Sequence, residues 1–217
     1  MIKDLTIIYY TSNREKPEFE QMVMDGIQKT AGDIPIVSVS QKPVKFGYNI
    51  CVGDVGLSDY NIYRQIEIGC YWATTKYVCT AEADCFYPPH GYFDFKPPKD
   101  WDAGHYTNVY ILWKNSHIFH QKAFSLCGLY SDRQYLISRF PRSLDREHTW
   151  RPGFKPNHPL FYKWHDWTPF KSDIPIVNCK TGQGMRHWSG VNTEGKPQKE
   201  LPYWGEVTKM EERLWPK

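Results

Sequence analysis

The stretch Tyr77-Val-Cys-Thr-Ala-Glu82-Ala-Asp84-Cys-Phe-Tyr87 is an apolar run that ends in two carboxylates one residue apart, and Pro88-Pro89 follows it. Such a run predicts a buried strand stopped by the prolines. Alternate residues of an extended chain project to one face. Glu82 and Asp84 are therefore expected to point together into a crevice at the carboxyl end of a strand, where open α/β sheets bind ligands. Two oxygen ligands on one face suit a hard divalent cation that also holds phosphate oxygens. The stretch reads as a metal–diphosphate site.

Working outward, the segments before it alternate in type. Leu5–Tyr10 is a short β-rich run, and Thr11-Ser-Asn-Arg14 follows as a polar loop. Lys16-Pro17-Glu18 starts a helix, with proline and acid both suited to a first turn. Phe19, Met22, Val23 and Ile27 recur at helical spacing through Thr30, and Ala31-Gly32-Asp33 ends the helix. Ile34–Val39 predicts a second strand, so the crossover is right-handed and the sheet parallel at this point. Gln41–Val55 reads as an extended loop. Ser58-Asp59 caps a helix over 60–74, with Ile62, Ile66, Cys70 and Ala73 on one face. Lys76–Ala81 is the strand that leads to the carboxylates. The alternation predicts an α/β fold with a mostly parallel central sheet flanked by helices.

The second half is less regular. Tyr106–Trp113 and Phe124–Cys127 read as strands, Asp132–Phe140 as a short helix, Ile174–Cys179 as a strand and Met185–Trp188 as a last short one, with a flexible loop over Lys180–Gly184. The 217 residues are expected to form a single domain. The net charge of +3 does not force a polyanionic partner and permits one if the charge is uneven. The six cysteines form no C-x-x-C pair, which fits reduced thiols rather than a zinc site or disulfide framework. With no leader-like N-terminus and no apolar span, a soluble cytoplasmic protein is expected.

The run Gly56-Leu-Ser-Asp-Tyr-Asn-Ile-Tyr-Arg64-Gln65, then Ala73, Tyr77-Val78 and Glu82-Ala-Asp84, resembles the family-two glycosyltransferases of the GT-A fold. Gln65 stands where that family has Asn, and Glu82 where it has the first Asp. The resemblance covers roughly the first 90 residues and implies transfer from a nucleotide-diphosphate sugar, most simply a UDP-sugar, with 1–90 as the nucleotide-sugar-binding half of the domain and 91–217 as the acceptor-binding half. It places Thr11, Ser12, Asn13 and Arg14 on the nucleotide and Arg64 near the diphosphate or sugar. It puts Mn²⁺ or Mg²⁺ on Glu82 and Asp84, with Ala83 between them in the motif. The late run Met185-Arg-His187-Trp-Ser-Gly190, then Gly195-Lys196-Pro197, is similar to a motif of retaining members. It implies His187 as a further metal ligand and Lys196 on the diphosphate. Inverting transfer needs a carboxylate base. Asp145 or Glu147 is the candidate by position, and Asp166 the competitor; stereochemistry stays open.

From Arg142 to Lys171 six Lys or Arg face three acids, with seven aromatic residues interleaved. Basic groups with stacking aromatics suit a nucleic-acid strand with unstacked bases, and a base is modified single-stranded or flipped. The combination is similar, at fold level, to viral enzymes that glycosylate hydroxymethylated pyrimidines in DNA, which act in the host cytoplasm. The same aromatics also suit a glycan acceptor, or simply cover a sheet edge. Two rivals from other classes remain: a metal-dependent nuclease or phosphohydrolase, and a non-catalytic nucleic-acid binder.

Overall fold

Strand β1 (Leu5–Thr11) is buried along its whole length, and its side chains divide between two cores. Leu5, Ile7 and Tyr9 enter one cluster, Ile8 and Tyr10 the other. This is the period-two alternation of a strand covered on both faces, and each fully buried aliphatic side chain contributes about 1.5–3 kcal/mol. The structure is a computed structural model, and it describes residues 4–122, 125–140, 150, 167–183 and 193–216.

Helix α1 (Pro17–Ala31) begins on proline, has Glu18 and Glu20 in its first turn, and lays Phe19, Val23 and Ile27 on the first core. Gly32 follows at φ +59, a left-handed conformation that glycine adopts without penalty, and its N–H donates to the Gln28 carbonyl at 3.1 Å. Strand β2 (Ile36–Ser40) then pairs parallel to β1. Within the expected loop 41–55 lies a further parallel strand, β3 (Tyr48–Cys51). It is a half-exposed edge strand, so it carries no apolar alternation by which to be read. Helix α2 (Asp59–Trp72) is capped by Ser58, whose Oγ accepts from the Asn61 N–H at 3.0 Å. It packs on the second core through Tyr63, Ile66 and Cys70. The approach to β1 is closest at Gly69, where a Cβ would overlap Ile8 Cγ2. Strand β4 (Tyr77–Glu82) lies parallel to β1 on its other side.

Beyond this half-sheet the architecture departs from the expectation. The predicted strand 106–113 is two strands. β6 (Ala103–Tyr106) joins the first sheet and β7 (Val109–Trp113) a second. The polar pair between them turns the chain, with the Thr107 N–H on the Phe170 carbonyl at 3.0 Å and Asn108 Nδ2 on the Ser172 carbonyl at 2.8 Å. Leu126–Gly128 is a 3-10 turn rather than a strand. β9 (Leu129–Asp132) inserts antiparallel between β4 and β6, and β10 (Thr168–Phe170) closes the edge. The first sheet is thus mixed, with seven strands in the order β10-β6-β9-β4-β1-β2-β3. Helix α3 (Arg133–Arg139) begins where expected, capped by Asp132.

The second sheet was not expected. Its five strands run β12 (Thr193–Gln198), β8 (Phe119–Lys122), β7, β11 (Ile176–Lys180), β5 (Cys85–Phe86). Val109, Leu112, Phe119 and Ile176 of this sheet share a core with Leu5, Ile7 and α1. A small hairpin of β13 (Glu200–Leu201) and β14 (Gly205–Glu206) leads to helix α4 (Val207–Leu214), which buries Val207, Met210, Glu211 and Leu214 at helical spacing. The segment 185–188 lies outside the described residues. Among the described residues, no helix is long and apolar enough to cross a membrane.

Candidate functional site

Four parallel strands end at one sheet edge. Thr11 lies opposite Ser40, Ser40 opposite Cys51, and Tyr10 opposite Glu82. The loops that leave β1 to β4 therefore emerge side by side, as they do wherever an open parallel sheet binds a ligand. Ser12, Asn13 and Arg14 line a cleft there with Gln41, Lys42 and Asp54. Asn13 takes φ +52, a left-handed conformation asparagine tolerates. Its Oδ1 accepts from the Lys42 N–H at 2.7 Å, and its own N–H donates to Thr11 Oγ1 at 2.9 Å. From α2, Gln65 Nε2 donates to the carbonyls of Thr11 at 2.9 Å and Val39 at 2.8 Å. The residue standing for the family's Asn thus fastens two strand ends together.

The acidic pair is built differently from the expected straight strand. β4 ends at Glu82, Ala83-Asp84 form a turn, and Cys85–Phe86 enter the second sheet as β5. The cause is β11, whose Cys179 N–H donates to the Asp84 carbonyl at 2.6 Å and draws the chain away. The carboxylates nonetheless converge: ligand atoms of Glu82, Asp84 and Cys85 lie within 4.8 Å of one another.

Their partners come from four elements. The Tyr10 hydroxyl donates to Glu82 Oε1, and the Glu82 N–H donates to Tyr87 Oη at 2.9 Å. Asp84 Oδ1 accepts from Asn178 Nδ2 at 2.7 Å, and Asp84 Oδ2 from Lys180 Nζ at 2.6 Å. Lys122 Nζ lies 3.3 Å from Asn178 Oδ1 and 3.0 Å from Ser125 Oγ. Cys85 Sγ stands 3.4 Å from Asp84 Oδ1 and 3.7 Å from Glu82 Oε2.

The two acids respond oppositely to this setting. Burial and then the charge of Asp84 push the Glu82 carboxyl above its usual range, against the pull of Lys122 and Lys180. Burial also pushes Asp84 up, but the Lys180 ammonium, with Lys122 and the Cys85 hydrogen bond adding to it, holds Asp84 below the ordinary carboxylate value. Burial would lower Lys180, yet Asp84 and Glu82 keep it above an ordinary lysine. Glu15 stands at the same edge, with Oε2 accepting from Thr181 Oγ1 at 2.6 Å; burial, with Asp84 adding, raises it to about 7.

The donor set fits a hard dication. Each ionised carboxylate has about four acceptor positions, and neither is filled by its protein partners. The neighbouring Cys85 thiol, raised by burial, stays protonated. Mn²⁺ or Mg²⁺ would be held by Glu82 and Asp84, the oxygen chemistry these ions prefer.

The remaining sequence-derived candidates are scattered. Arg64 is half-buried on α2, 3.4 Å from Glu67, with its guanidinium 5.9 Å from the centre of the Trp150 ring. Ala83 is half-buried in the turn. Lys196 is exposed on β12 of the second sheet. Asp145, Glu147, Asp166 and His187 lie outside the described residues, as does most of segment 142–171. Two described aromatics of that segment pack inward, Trp167 buried and Phe170 partly buried. Trp167 is buried in the second cluster, and Phe170 stacks on Phe95 at 4.0 Å between centroids.

Sequence reasoning missed Tyr10, Glu15, Lys122, Asn178 and Lys180. One signal was there to be read. Asn178-Cys-Lys180 places polar groups at alternate positions at the end of an apolar strand, the same pattern as Glu82-Ala-Asp84.

No protein-family model and no curated protein matches the sequence. Among solved structures, the chain is similar to S. aureus TarS, at 10% identity over 64% of this chain and 31% of that one, with a TM-score of 0.39. It is similar to a 1–349 portion of S. aureus TarS in complex with UDP-GlcNAc, at 9% identity over 82% and 59%, TM-score 0.45. It is also similar to the bifunctional IspDF from Campylobacter jejuni, at 8% identity over 78% and 49%, TM-score 0.38. The chain thus spans between about a third and three-fifths of these proteins. At TM-scores below 0.5 the likeness does not establish a shared fold.

Proposed function

We propose that this chain is a glycosyltransferase that moves a sugar from a nucleotide-diphosphate donor, a UDP-sugar in the reading the family resemblance implies, to a hydroxyl acceptor. The observation that carries this is the meeting of the polar Ser12–Arg14 cleft and the Glu82–Asp84 pair at one edge of four parallel strands.

In this reading Ser12, Asn13 and Arg14 bind the nucleotide, and Glu82 and Asp84 hold Mn²⁺ or Mg²⁺. The cation supplies neutralisation of the charge that develops on the departing diphosphate. Lys180, on Asp84 Oδ2, and Lys122, which reaches Asn178 and acts on the acids through its charge, add positive potential. For inverting transfer a carboxylate takes the acceptor's proton, a role proposed for Asp145, Glu147 or Asp166. Arg64 over Trp150 links the donor half to the segment proposed for the acceptor; the acceptor proposed is a hydroxymethylated base in DNA, as the fold-level similarity to viral enzymes implies, with a glycan as the alternative. The rival phosphohydrolase reading needs several carboxylates around two metals. Among the described residues, Glu82, Asp84 and Cys85 are the one group of three potential ligands, and only two are acids.

Thermal unfolding with a panel of sugar nucleotides, with and without Mn²⁺, tests the proposal. A ligand at ~100 times its Kd adds about 2.7 kcal/mol and raises the midpoint. A Mn²⁺-dependent shift with one sugar nucleotide is expected; no shift with any of them overturns the donor site.

A further inference from the structure

We propose that Lys180 is a built-in counter-ion that competes with a divalent cation for Asp84 and transfers to the donor's diphosphate, so that cation and nucleoside diphosphate bind as a coupled pair. The inference rests on the cation reading of Glu82 and Asp84 given above.

The geometry is specific. Asn178 and Lys180 are alternate residues of β11, so both side chains project to the same face, and between them they engage both oxygens of Asp84 at 2.7 and 2.6 Å. The Lys180 and Asp84 side chains are each only 14% exposed, so water screens the pair little. Lys122 Nζ, on the far side of Asn178, adds a second positive charge. A dication placed on Glu82 and Asp84 meets this arrangement as a like charge within a few ångströms, in a setting where Coulomb terms are stronger than in bulk water. Bound alone, it must displace or endure the ammonium. A diphosphate changes the balance, because its oxygens accept from the displaced ammonium while also ligating the cation. Lysine suits this exchange: a flexible stem with three rotatable donors can leave one oxygen for another. Each ligand thereby raises the affinity of the other, and the effect is reciprocal.

The test is Mn²⁺ titration followed by the electron paramagnetic resonance of the free ion, with and without UDP. It uses the wild type, Lys180→Met, Lys180→Arg and Asp84→Asn, each checked for folding by circular dichroism. Wild type should bind Mn²⁺ alone weakly and gain about 5–150-fold with UDP, the usual span of coupling. Lys180→Met, which keeps the stem and loses the charge, should bind Mn²⁺ alone more tightly than wild type, with the UDP enhancement falling towards one. Lys180→Arg should keep the enhancement. If Lys180→Met leaves both affinity and enhancement unchanged while Asp84→Asn abolishes binding, the cation site stands and this proposal falls. If no variant and no condition gives Mn²⁺ binding, the cation site falls and the proposal with it.

Discussion

Gln65, midway along α2, holds Thr11, the last residue of β1: its Nε2 donates to the Thr11 carbonyl at 2.9 Å and, with its second proton, to the Val39 carbonyl of β2 at 2.8 Å. All of these groups are buried. A helix on one face of the sheet thus sets the spacing of the two strand ends from which the Ser12–Arg14 and Gln41–Lys42 loops depart.

Replacing this amide should loosen the cleft as well as the fold. Gln65→Leu leaves the buried Thr11 carbonyl without its amide partner, at about 1–3 kcal/mol, and takes from the Val39 carbonyl a bond additional to its place facing β1 in the sheet. A loss of about 1–3 kcal/mol in urea unfolding is expected, together with weaker binding of the nucleotide that the proposed function assigns to the cleft. An unchanged unfolding midpoint would show that the carbonyls find other partners and that the amide does not set the spacing.

Asp84 and Lys180 form a pair that is costly to break from one side only. Asp84→Ala leaves the Lys180 ammonium little exposed and without its carboxylate, and breaking a buried pair in this way costs about 3 kcal/mol or more. The double variant Asp84→Ala/Lys180→Met should recover much of that stability while lacking the sugar transfer that the proposed function assigns to the wild type. Additive losses in a double-mutant cycle would mean the two groups do not interact energetically.

Glu15 predicts a pH dependence of definite sign. Its folded-state value is raised, by burial first and by Asp84 in addition, from 4.5 to about 7. Between these values the folded state binds more protons than the unfolded state, so ionising Glu15 destabilises the fold as pH rises from about 4.5 through 7. Glu15→Gln should therefore be more stable than wild type at pH 8, with the advantage shrinking to nothing below the unfolded value. Stability curves measured across pH decide this, and an advantage that grows in acid would refute the sign.

The parallel half-sheet was legible because each of its pieces carries a local signal. β1, α1, β2, α2 and β4 have one apolar period each, α1 has Pro17 at its start and Gly32 at its end, and α2 has Ser58 as a cap. β3 escaped notice because an edge strand exposes much of its length, and β12 because Thr193–Gln198 is exposed throughout and includes glycine and proline. The strand predicted over 106–113 has the right composition but serves two sheets, and the break at Thr107-Asn108 depends on partners at Phe170 and Ser172. Helix α4 was legible by its spacing and went unread.

For the site, the sequence by itself determined that Glu82 and Asp84 stand at the end of a buried strand and that a polar loop follows β1, because strand burial, turn residues and the order of elements are local properties of the chain. Only the tertiary structure decided what those carboxylates face. Lys180 and Asn178 lie more than 90 positions away and reach Asp84 because β5 pairs with β11 across a second sheet. The opposite displacement of the two acids follows from that pairing. The charge each carboxylate carries is set by burial and by which cation lies within a few ångströms, and neither is written in the residues beside it.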